Sequence, residues 1–89
     1  MASRQVSIAS SVGLHARPAA LFVQEATSTG LPVTIAKEGA EPVDARSILA
    51  VMALGAKHGE TVTLEAQGDG ADAALDKLVA LLSRDLDAE

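Results

Sequence analysis

The chain has 89 residues, 48% of them hydrophobic, with Phe22 the only aromatic side chain, no cysteine and a net charge of −5. That allows one domain over 1–89 with an aliphatic core, and it excludes disulfides and thiolate metal sites. Seven basic residues against twelve acidic ones also argue against nucleic acid as a ligand, because phosphate neutralisation needs a basic stripe.

Arg4 to Ser10 alternates, with Val6 and Ile8 on one face and Gln5 and Ser7 on the other, and so predicts a half-buried strand. Ser11 to Leu14 read as a loop in which Gly13 gives backbone freedom. A helix is expected from Ala16 to Thr27, with Pro18 in its early turn, where a missing N–H costs nothing. Ala19, Phe22, Val23 and Ala26 form its core stripe, and Ser28-Thr29-Gly30 stop it. Pro32 to Lys37 alternates again. Glu38-Gly39 is a tight-turn candidate, and Ala40 to Val43 would return as a short strand to make a hairpin.

Ser47 reads as the N-cap of a short helix over Ile48 to Ala53, ended by Gly55. Lys57-His58-Gly59 form a turn, and Thr61 to Ala66 a strand with Val62 and Leu64 inward. Asp69 is expected to cap the last helix, with Asp72 at its third position. Ala71, Ala74, Leu75, Leu78, Leu82 and Leu86 make its buried stripe, and Asp85, Asp87 and Glu89 oppose the dipole at a fraying end. The order βαββαβα, with one apolar face per strand, predicts an α+β fold: a two-layer open-faced sandwich with a four-stranded antiparallel sheet covered on one side by three helices. No charged segment leads into an apolar one and nothing approaches the ~20 apolar residues of a membrane span. A cytoplasmic, unprocessed monomer without membrane insertion is expected.

The chemistry concentrates in Gly13-Leu14-His15-Ala16-Arg17-Pro18-Ala19. Orphan N–H donors and the positive end of a helix dipole make an anion site, and His15 and Arg17 stand beside them. Imidazole titrates near about 6.5, so a neutral nucleophile is available, and a guanidinium grips phosphate oxygens as a fork. Such an arrangement suits phosphoryl transfer, where positioning and charge stabilisation do most of the catalysis. An isolated histidine at a helix start is more often a surface residue; the neighbouring Gly13, Arg17 and Pro18 favour the functional reading. A two-turn helix cannot bury every one of Ile48, Leu49, Val51, Met52 and Leu54. Val51 and Leu54 are assigned to the core, and Ile48, Leu49 and Met52 to an exposed partner-binding patch. His58 has no partner at metal-ligand spacing, and neither a metal site nor a cofactor is expected.

Two segments, Gly13 to Ala19 and Ser47-Ile48-Leu49-Ala50-Val51-Met52-Ala53-Leu54-Gly55, give the chain its likeness to a known family. It resembles HPr, the phosphocarrier of the bacterial phosphoenolpyruvate-dependent sugar phosphotransferase system, over essentially its whole length. The resemblance implies that His15, through Nδ1, takes a phosphoryl group from phosphorylated enzyme I. His15 would pass it to the EIIA component of a sugar permease, with Ala16 and Arg17 binding the phosphate. It implies docking of those partners on Ile48, Leu49 and Met52, and a regulatory phosphosite at Ser47 served by a serine kinase and phosphatase. Two departures stand out. Val12 replaces a small polar residue, and Gln24 and Thr27 stand where some members carry lysines, so attraction to an acidic partner should be weaker. The alternative is a regulatory module of the nitrogen-related branch that binds partner proteins according to its phosphorylation state. A piece of a multiphosphoryl transfer protein is disfavoured by the starting Met and the acidic tail.

Overall fold

The computed structural model describes residues 2–9, 13–14 and 16–84. Among them run β1 (Ala2–Ser7), α1 (Ala16–Ser28), β2 (Val33–Lys37), β3 (Val43–Asp44), α2 (Ile48–Leu54), β4 (Thr61–Ala66) and α3 (Ala71–Leu82). The strands form one sheet in the order β1-β4-β2-β3, with every neighbouring pair antiparallel. The expected open-faced sandwich is therefore the observed one.

Side-chain alternation sets the layers. Val62, Leu64 and Ala66 of β4 are buried while Thr61, Thr63 and Glu65 are not. The register places Val6 opposite Val62 and Ile35 opposite Leu64, so one sheet face is continuously apolar. Onto it pack Phe22 and Ala26 of α1, Val51 of α2, and Leu75, Leu78 and Leu82 of α3. Phe22 is the largest fully buried side chain.

The structure departs from the sequence reading at several boundaries. β1 ends at Ser7, and Ile8, although buried, turns its backbone to the loop after α2: its N–H donates to the Glu60 carbonyl at 3.0 Å and its carbonyl accepts from Gly59 at 2.9 Å. The turn at Glu38-Gly39 forms, but β3 is only Val43–Asp44. Pro42, just before it, has no N–H for the ladder. α1 runs one residue further, to Ser28. α3 is preceded not by Asp69 but by Gly70, which is in the left-handed region and makes no side-chain cap bond. The Ala71 N–H reaches back to the Gly68 carbonyl at 3.2 Å, and this turn leaves Asp69 outside the helix start. Asp72 is then the second helical residue. Leu86, the tail from Asp85, and the Ser10–Val12 part of the first loop lie outside the described residues.

Arg4 was not expected to matter. It shares the helix-facing alternation of Ala2 and Val6, and its guanidinium meets Asp72 at 3.0 Å and Asp76 at 3.3 Å on α3. The hydrogen bond from Asp72 raises the Arg4 pKa above its ordinary value against a smaller opposing desolvation, with Asp76 adding to the rise.

Removing the Phe22 ring should cost about 3–5 kcal/mol of stability. Urea unfolding of Phe22→Ala is expected to show a lower midpoint with the helix and sheet signal of the wild type at low denaturant.

Candidate functional site

His15 itself lies outside the described residues, and the elements flanking it define the setting. On its N-terminal side Gly13 and Leu14 are buried. Gly13 has φ +74°, and a Cβ there would stand 2.6 Å from the Ala56 carbonyl oxygen and 2.9 Å from Lys57 Cα. Only glycine fits such an approach. The Leu14 N–H donates to that same Ala56 carbonyl at 2.9 Å.

On the C-terminal side α1 begins at Ala16, with Ala16 and Arg17 exposed and Pro18 and Ala19 buried. Pro18 is the third helical residue, within the first turn, where amides have no intrahelical acceptor, so its lack of an N–H removes no helix bond. No acidic residue occupies that turn. The positive end of a 13-residue helix and the Arg17 side chain thus sit at the same exposed corner.

α2 presents the second motif. Ser47, in extended conformation, accepts the Ala50 N–H on its hydroxyl at 3.3 Å, and its carbonyl accepts the Val51 N–H at 3.0 Å. Ser47 is therefore an N-cap. Gly55 closes the helix in the left-handed region and donates to the Met52 carbonyl. Val51 is fully buried, whereas Ile48, Leu49 and Met52 keep 36%, 78% and 41% of their surface exposed. Leu54 packs half-buried against the core. Immediately before the cap, Arg46 donates to Asp44 through its backbone N–H at 2.9 Å and through Nε at 3.3 Å. The backbone bond first, then the guanidinium, hold the Asp44 carboxyl below its ordinary value.

The two motifs meet. α2 packs against α1, and the chain leaving α2 at Gly55 runs through Ala56 and Lys57 directly over Gly13 and Leu14. This junction is what sequence reasoning missed. Its one sequence signal was buried-type Ala56 wedged between turn residues, which spacing alone does not pair with Gly13. Lys57 and His58 are exposed beyond it. Among the described residues no group of three or more His, Cys, Asp or Glu could hold a metal ion. A cavity of about 260 Å³ lies elsewhere, lined by Ser28, Thr29, Asp69, Gly70 and Lys77 between the end of α1 and the start of α3. The exposed start of α1 at Ala16 and Arg17 and the apolar face of α2 are thus carried by two helices packed on one another.

Fold and site together define a small open-faced α+β carrier-type domain, in which a histidine precedes the exposed start of the first helix and an apolar helix lies beside it. The family model described as "PTS HPr component phosphorylation site" matches residues 2–84, and the chain belongs to this HPr family of phosphocarriers. It is 51% identical to the phosphocarrier protein HPr of Streptomyces coelicolor over 87 residues, covering 98% of this chain and 94% of that protein. The crystal structure of HPr-C-His from Thermoanaerobacter tengcongensis superposes with a TM-score of 0.91 at 38% identity, covering 100% of this chain and 99% of that one. The crystal structure of Bacillus subtilis Crh, a catabolite repression protein described as a dimer with an unexpected swapping domain, has a TM-score of 0.71. Its identity is 44%, with 92% of this chain and 93% of that one covered. Among the described residues no helix is long and apolar enough to cross a membrane.

Replacing Ser47 by Ala removes one cap bond and should lower stability by about 1 kcal/mol. Chemical denaturation of Ser47→Ala checks this, and the loss should be smaller in Ser47→Asp, which restores an acceptor.

Proposed function

We propose that this chain carries phosphoryl groups on His15, taking them from phosphorylated enzyme I and giving them to EIIA components of sugar permeases. The observation that carries the reading is the HPr match over residues 2–84, with Gly13 to Ala19 leading into the exposed start of α1. In the forward step the lone pair of neutral Nδ1 forms a bond to phosphorus as the bond to the donor breaks. The return step reverses this toward EIIA. Transfer passes through a loose transition state whose charge lies on the equatorial oxygens. Main-chain N–H groups at Ala16 and Arg17 and the Arg17 guanidinium answer that charge.

Ile48, Leu49 and Met52 provide the docking surface in this reading. They are apolar, exposed and carried by a helix packed on α1, and methionine adapts to more than one partner. Phosphorylation of Ser47 by a serine kinase, reversed by a phosphatase, would add nearly two negative charges at the edge of that surface. It would suit the start of α2 and repel an acidic partner. The similarity to Crh favours a second reading in which the chain binds regulatory partners according to its phosphorylation state. Service to the nitrogen-related branch belongs to the same class. We further infer one cytoplasmic domain over 1–89, acting as a monomer; sedimentation tests the last point against the dimer described for Crh.

With phosphoenolpyruvate and enzyme I, intact mass should show one added phosphoryl group, labile in mild acid and stable in base. His15→Ala should take none; a His15→Ala chain that is still phosphorylated at wild-type rate would sink the carrier assignment. Ile48→Asp is expected to slow transfer roughly tenfold, the scale of one interface anchor, while the domain stays folded with at most a modestly lower urea midpoint, because the side chain keeps 36% of its surface exposed. Offering EIIA proteins of the sugar and nitrogen branches separates the two alternatives.

A further inference from the structure

Resting on the phosphocarrier reading, we propose that Lys57 forms with Arg17 a cationic rim that draws the phosphoryl-bearing face of a partner protein onto the start of α1. Its placement comes from the backbone. The Ala56–Lys57 peptide lies against Gly13 and Leu14, with Lys57 Cα 2.9 Å from where a Gly13 Cβ would be. The residue is held there twice over: its N–H donates to Glu60 Oε1 at 2.7 Å, and its carbonyl accepts the Glu60 N–H at 3.0 Å. Gly59 in turn is tied to Ile8. A fixed Cα with an exposed four-carbon stem puts a mobile ammonium at the rim of the site.

The surrounding charges favour this role. α2 carries no charged residue between Ile48 and Leu54, and the first turn of α1 holds no acid. Gln24 and Thr27 leave the outer face of α1 without lysine. Arg46 pairs with Asp44 at 3.3 Å, and Lys37 with Glu60 at 3.9 Å. The Glu60 carboxylate in the turn is shared between Lys37 and the Lys57 backbone. Any donor or acceptor of a phosphoryl group brings that group's own negative charge to the contact, so in a chain of net charge −5 a local positive rim decides whether approach is attractive.

Transfer from phosphorylated enzyme I to Lys57→Gln and Lys57→Glu, measured across ionic strength, tests the assignment. Low salt should raise KM about two- to fivefold for Lys57→Gln, the range of an exposed charge pair, and further for Lys57→Glu. kcat should not change, and the differences should vanish near 1 M salt, where screening acts within about 3 Å. An unchanged KM for Lys57→Glu at low salt, or a KM change that persists at high salt, overturns the assignment while leaving the carrier reading intact, provided wild type is phosphorylated on His15. Wild type that takes no phosphoryl group removes both.

Discussion

One hydrogen bond organises the functional end of this molecule: the Leu14 N–H to the Ala56 carbonyl, 2.9 Å long. Residues 42 apart in sequence are joined there, and the missing side chain of Gly13 is what allows the two backbones to touch. A buried amide without its acceptor would cost on the order of 1–3 kcal/mol. The bond therefore fixes the segment entering α1 relative to the exit of α2. The helix start that would face phosphate and the helix that would face the partner protein are registered by the same contact.

The apolar patch follows from geometry as much as from any demand of binding. α2 has only seven residues, two turns, and one of its sides is filled by Val51 and Leu54 packing toward the core. A helix this short is stabilised by its tertiary face and its caps rather than by propensity, which is why Ser47 and Gly55 close it at both ends. On the remaining side Ile48 and Met52 are only partly covered by the fold and Leu49 keeps 78% of its surface exposed. A contiguous apolar patch of this kind is what the proposed docking of a partner protein would use.

Much of the fold was legible because its signals are local. Period-two alternation gave β4 residue for residue, and the three-and-four spacing gave the buried faces of α1 and α3. The short helix was readable from Ser47 and Gly55, whose chemistry at helix ends is specific. The misplacements share a cause: each depended on a contact or a backbone angle that spacing does not encode. Gly70 starts α3 through a positive φ and displaced Asp69 from the cap. Pro42 shortened β3 by removing a donor. Arg4 became a cross-layer tie only because α3 brings Asp72 and Asp76 to it. At the site, the residues entering and beginning α1 were named from sequence. The apposition of Ala56 and Lys57 was not, because it is a long-range backbone encounter.

The asymmetry of the sheet limits how copies of this chain can assemble. On one flank β3 offers two residues after a proline, a poor template for a further strand. On the other, β1 pairs along all six residues with β4 and has no strand beyond it among the described residues. Two such flanks meeting about a twofold axis would consume each other. Strand addition between two such β1 edges would accordingly close at a pair.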